Sequence, residues 1–207
     1  MTQRRLVALA IVLLLWSGCA AAAIQLGAPF GEHMVLPQGV PVTIWGTGCP
    51  GGDTVRVSIA GQSVTAKSDW VGRWTVQLAP LKAGGPYQML IEVGGYGPVI
   101  PSPAANARGG AELNDVLVGE VVPASSLSEK LATEHSVGAI GSGAHPYAWI
   151  RVYRSPVRTE VARGNITARW SVVSDDPAAR DREHTLSLAR ELYNKLHVPI
   201  GVIDTVP

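Results

Sequence analysis

Only a few residues of this 207-residue sequence stand in patterns that could do chemistry. Trp45, Trp70 and Trp74 could each offer a flat aromatic face to a sugar ring. Trp45 and Trp74 fall at strand positions, where such rings pack into cores. Trp70 falls in a turn and is the substrate-contact candidate. His135 and His145 flank the Gly/Ala/Ser-rich stretch 138–144. Two imidazoles could ligate a metal, but no fixed ligand spacing accompanies them, and neither a metal nor a cofactor is expected. Gly141-Ser142-Gly143 lacks the helix pattern that must follow a phosphate cradle. Asn165-Ile166-Thr167 is a glycosylation sequon. Of the two cysteines, Cys19 lies in an N-terminal apolar segment and Cys49 precedes Pro50-Gly51-Gly52 at a turn. That excludes a disulfide framework, and Cys49 reads as a small semi-buried residue rather than a reactive thiol.

The elements that must position these residues follow from composition and pattern. A hydrophobic fraction of 46% excludes a disordered chain, and 17 basic against 16 acidic residues leave no footprint for nucleic acid. Arg4 and Arg5 precede the apolar run Leu6–Trp16, then Ser17-Gly18-Cys19 and Ala20–Ala23. This is the pattern of an export signal, so residues 1–23 are expected to direct the protein to the periplasm or the exterior. Three fates are open to it: cleavage near Ala23, lipidation of Cys19 as a membrane anchor, or retention as an uncleaved anchor.

Charge density then divides the chain at a Pro/Gly-rich stretch, residues 98–110. Residues 24–110 carry nine charges and residues 111–207 carry twenty-two. The first part predicts short strands at 34–36, 42–46, 54–59, 62–67, 74–78 and 87–93, with a hairpin at Ala60-Gly61 and a turn needing positive φ at Gly72. Evenly spaced strands of this kind fit an all-β sandwich. The second part predicts strands at 116–122, 150–153, 168–173 and 200–203. It also predicts a helix capped by Asp176, begun by Pro177 and stopped by Pro199. Strand, crossover helix, strand is the unit of a parallel α/β sheet.

The motifs His33-Met34-Val35-Leu36-Pro37, Val42-Thr43-Ile44-Trp45-Gly46, Gly72-Arg73-Trp74 and Lys82-Ala83-Gly84-Gly85-Pro86-Tyr87 occur in order. With Asp115–Val121 and Val198–Asp204, they resemble the sialate O-acetylesterases and related carbohydrate esterases. The resemblance implies a β-sandwich at 24–110, then at 111–207 the front of an incomplete flavodoxin-like, three-layer SGNH-type α/β domain. The activity it implies is removal of O-acetyl groups from sialic acid or polysaccharide, with an acetylated carbohydrate as partner. Ser128 falls on the nucleophile position of that family. Its neighbours Ser126, Leu127 and Glu129 depart from the Gly-Gln-Ser-Asn pattern, and an ordinary polar serine near a helix start fits the same residues. The family's His and Asp lie late in its catalytic domain. The sequence is therefore expected to stop short of them and to be inactive alone. The other expectation is a non-catalytic sugar-binding or structural module. Asp181-Arg182-Glu183-His184 repeats the Asp-x-x-His spacing of the family, but its place within the helix suits a solvated i, i+3 pair.

Overall fold

The computed structural model describes residues 24–94, 110–134, 146–155, 169–173 and 183–204. The N-terminal signal with Cys19, His135, His145, Gly141–Gly143, Asn165, Asp181 and the helix start at Asp176-Pro177 lie outside the described residues.

The described chain is rich in β-structure, with few helices. A three-stranded sheet has the order β1-β3-β6, from Gln25–Leu26, Val42–Thr47 and Trp74–Leu78. A larger sheet has the order β10-β9-β11-β8-β7-β4-β5, and β2 (Val35–Pro37) also pairs with β8. Its other strands are β4 (Thr54–Ile59), β5 (Gln62–Lys67), β7 (Gly84–Gly94), β8 (Ala111–Pro123), β9 (Ile150–Arg154), β10 (Arg169–Val172) and β11 (Ile200–Asp204). Two α-helices, α1 (Leu127–Thr133) and α2 (Glu183–Leu196), accompany them.

Alternation decides which faces are buried. Along β4, Val55, Val57 and Ile59 point inward; along β3, Val42 and Ile44 do; along β6, Trp74, Val76 and Leu78 do. These side chains join Met89, Ile91 and Val93 of β7 in one apolar cluster fed by both sheets. Trp74 is core, as expected. Trp45 is not. It sits on the outward parity of β3, 41% exposed, because Ile44 takes the inward position beside it. Its indole lies against Gly27 and meets Phe30 edge-on at 4.6 Å. The hairpin at Ala60-Gly61 and the positive φ at Gly72 both form, with φ of 48°, 79° and 83°.

Strand β8 is longer than the apolar run that predicts it. Its first half pairs antiparallel with β7, and its second half pairs parallel with β11, which in turn runs parallel to β9. One thirteen-residue strand thus belongs to both parts. The 110/111 boundary falls at its first residue. Ile150, Val152, Ile200 and Val202 face a second cluster with Leu127 and Leu131 of α1 and Leu186, Ala189 and Leu192 of α2. The opposite parity, with Arg151, Tyr153 and Gly201, faces the segment around Val35 and the Trp170 ring. In a flavodoxin-like order the first strand lies between the second and third. Here β8 has β11 on one side and β7 and β2 on the other. Among the described residues, no helix is long and apolar enough to cross a membrane.

Candidate functional site

Ser128 lies just beyond the carboxyl end of β8. A 3-10 turn, Ala124–Ser126, carries the chain from strand to helix, and Ser128 is the second residue of α1. Leu127, fully buried, plugs the helix into the second cluster, which leaves Ser128 and Glu129 facing solvent. Ion pairs hold α1 down. Lys130 reaches Glu120 of β8 at 2.9 Å and Glu134 at 2.8 Å, and these bonds raise its pKa, Glu134 contributing most. Lys195 of α2 donates to the carbonyls of Leu131 (2.9 Å) and Glu134 (3.4 Å), satisfying acceptors at the end of α1. The Ser128 hydroxyl has no hydrogen-bond partner among the described residues.

Trp70 is placed elsewhere. β8 runs from Ala111 toward Pro123, and the neighbouring strands put Gly94, Thr54 and Lys67 beyond its amino end. Trp70 follows Lys67 in the next turn, 87% exposed. Ser128 follows the carboxyl end. Thirteen residues of strand separate the two ends, on the order of 40 Å. The structure does not bring Trp70 and Ser128 together, so a sugar held at Ser128 would not touch Trp70.

The turn that carries Trp70 is tightly built. Asp69 Oδ1 accepts from the backbone N–H of Val71 (3.0 Å) and Arg73 (2.8 Å), and Oδ2 accepts from Arg73 Nε at 2.7 Å. These bonds, the Arg73 N–H above all, hold the Asp69 carboxyl below the usual carboxylate range, although burial opposes them. The Gly72 carbonyl accepts from the Cys49 N–H. Cys49 is buried, and burial pushes its thiol pKa up. It is a packed residue, as its turn position suggested.

One cluster was not anticipated. His33 Nδ1 lies 2.7 Å from Asp115 Oδ2, and Arg151 Nη2 donates to the same oxygen at 2.8 Å. Asp115, as a carboxylate, only accepts, so His33 carries its proton on Nδ1 and leaves Nε2 unprotonated when the ring is neutral. Both His33 (φ 61°) and Asp115 (φ 55°) are left-handed. Conformations of this kind persist only where the surroundings over-determine them. Here the Leu117 N–H donates to the Met34 carbonyl and the Asn114 N–H to Glu32 Oε2, flanking both residues. Arg151 comes from β9, with its side chain 4% exposed. A cleft of about 450 Å³ opens beside His33, between Pro29–His33 and Arg169–Val172. Trp170 closes its floor by donating from Nε1 to the Pro29 carbonyl at 2.7 Å. The signal for the cluster lay in polar residues directly preceding two apolar runs, Met34–Leu36 and Val116–Val118.

This His–Asp pair cannot serve Ser128. Asp115 precedes the end of β8 by eight residues, roughly 25 Å of strand. Among the described residues, no group of three or more His, Cys, Asp or Glu could hold a metal ion.

No protein-family model matches the chain, and no curated protein does either. Among solved structures, the chain is similar to a carbohydrate acetylesterase from Xanthomonas citri, with a TM-score of 0.59 and 22% identity. That likeness covers 88% of this chain and 40% of the acetylesterase. An immunoglobulin-like domain from the M. primoryensis ice-binding adhesin is matched at a TM-score of 0.27 and 18% identity. It covers 47% of this chain and 96% of that domain, and carries no argument at that score. The chain thus spans two-fifths of the acetylesterase's length, and the fold of its own residues is carbohydrate esterase-like.

Proposed function

We propose that this chain is an exported, sialate O-acetylesterase-like protein whose Ser128 occupies the place of an ester-cleaving nucleophile. In this reading its first part is a β-sandwich and its second the front of an SGNH-type α/β domain. Its ligand class is O-acetylated sialic acid or another acetylated carbohydrate. The observation that carries the proposal is the position of Ser128. It follows a parallel strand, through a tight turn, onto a helix, at the sheet edge where open α/β folds gather their ligands. The likeness in fold to a carbohydrate acetylesterase supports it.

The reaction would form a bond from Ser128 Oγ to the acetyl carbon as the hydroxyl proton passes to a base. The sugar oxygen would leave with a proton, and water would then release acetate. No imidazole among the described residues is bonded to Ser128 to take its proton, and Glu129 beside it opposes a developing oxyanion. Turnover by this polypeptide alone is accordingly expected at the buffer rate. The second reading, a non-catalytic sugar-binding or structural module, is supported by the same serine, which has no partner among the described residues, beside a well-formed β-rich core.

The test is acetate release from p-nitrophenyl acetate and from O-acetylated sialic acid, with Ser128→Ala alongside. Release at the buffer rate in both proteins is the expected result. Release abolished by Ser128→Ala would confirm the nucleophile and overturn the inactivity. Release unchanged by Ser128→Ala would remove Ser128 from the proposal. Titration with the acetylated sugar, followed by tryptophan emission, decides the ligand class separately.

A further inference from the structure

The turn bearing Trp70 stands at the end of the molecule where the chain enters. Gln25 pairs with Thr47 and Leu26 with Gly46, so the described chain begins beside the loop that leaves β3. Trp74 pairs with that same Gly46, which brings the 68–73 turn to the same end. The Cys49 N–H donates to the Gly72 carbonyl there, and the backbone of Gly51 packs against that of Trp70. Trp70 and Val71, 87% and 48% exposed, are the outermost apolar side chains of this end. Asp69 and its bonds to Val71 and Arg73 fix them in place rather than letting them fold back.

Large apolar side chains on a rigid turn are costly to leave in water, and tryptophan favours the boundary between lipid headgroups and acyl chains. What covers them is indicated by the chain before Ile24. The apolar run Leu6–Trp16 and Cys19 lie immediately upstream. Four residues separate Cys19 from Ile24, and the five steps between them span about 17 Å at most. An anchor at Cys19 would hold Ile24 within that distance of the bilayer and so keep the Trp70 end near it at high effective concentration. Local charge does not oppose approach, because Asp53 and Asp69 are balanced by Lys67 and Arg73.

We infer that Trp70 and Val71 form a bilayer-contacting knob, which seats the anchored protein upright with the Ser128 end turned away from the membrane. The inference rests on the exported, anchored reading of residues 1–23. The test uses the full chain reconstituted into vesicles of phosphatidylcholine and phosphatidylglycerol in equal parts, with bromine on the acyl chains. Flotation of the vesicles reads anchoring, and quenching of tryptophan emission reads contact. Trp16 gives a constant background, so Trp70→Ala isolates the knob without touching the core. The expected result is flotation of both proteins, with at least about a third of the quenched emission lost in Trp70→Ala. Flotation with equal quenching in both would overturn the knob while leaving the anchor intact. Failure to float would remove the anchor and the inference with it. A Trp70-dependent response to sialosides, without vesicle quenching, would assign Trp70 to sugar instead.

Discussion

Replacing Asp115 with Asn isolates the charge that holds the unanticipated cluster together. Asn tolerates the left-handed conformation, so φ of 55° is kept while the carboxylate is lost. The Arg151 guanidinium, 4% exposed, then keeps hydrogen bonds to the Ala148 and Ile150 carbonyls but has no counter-charge. Removing one partner of a fully buried pair costs about 3–5 kcal/mol. Asp115 is 30% exposed, so water reaches the site, and the Asn amide oxygen can still accept one bond. A neutral acceptor retains roughly half the strength of a charged one. The loss should therefore be about 2 kcal/mol, which shifts the urea midpoint by about 1 M at a slope of about 2 kcal/mol/M. Urea unfolding followed by tryptophan emission measures this directly. Asp115→Ala should cost about 1–2 kcal/mol more, since alanine also resists positive φ. A midpoint shift below about 0.2 M for Asp115→Asn would refute the reasoning, because Arg151 would then not need its counter-charge. Equal losses for Asn and Ala would show that the left-handed backbone stores no strain.

Three further outcomes are expected. A Cβ on Gly119 would meet the carbonyl of Pro199, so Gly119→Ala must part β8 from β11 and should cost about 1–3 kcal/mol in the same unfolding assay. Cys49 should resist iodoacetamide at pH 8 until the chain is unfolded in urea, and labelling as fast as that of free cysteine would contradict its burial. The Asp69 carboxyl titrates below its unfolded value. Its contribution to the Trp70 turn is thus complete above about pH 4 and is lost as pH falls through the lower folded value. Trp70 emission should hold steady from pH 6 to about 4 and change only below that, and an Asp69-dependent change already near pH 5 would contradict the turn's hydrogen bonds.

Where neighbours in sequence are neighbours in space, the fold was legible. Val55, Val57 and Ile59 alternate because one face of β4 is wet, and Ala60-Gly61 supplies the two positive φ values its hairpin needs. Trp45 was misjudged because alternation fixes parity without saying which parity faces the core; Ile44 settles that through contacts with the other sheet. The opening of β8, residues 111–115, lay outside the strand expected at 116–122, since Glu112, Asn114 and Asp115 interrupt the apolar pattern there. Its strand character comes from pairing with β7, which no local pattern records. The candidate nucleophile was placed by resemblance, and that it has no partner among the described residues needed the structure. His33, Asp115 and Arg151 come from three separate strands and loops, 82 and 36 residues apart, so only tertiary pairing joins them.

Strand β8 leaves the chain without a natural place to be divided. A cut between residues 94 and 110 puts β7 on one piece and β8 on the other, each with a bare row of backbone donors and acceptors. Such edges recruit strands. The two pieces should therefore find each other in solution, with β8 given back as a donated strand, and fragment complementation would report it. A library that exchanges the first part as a cassette at residue 110 would break the β7–β8 ladder each time, and a cassette ending after β8 would break the β8–β11 ladder instead.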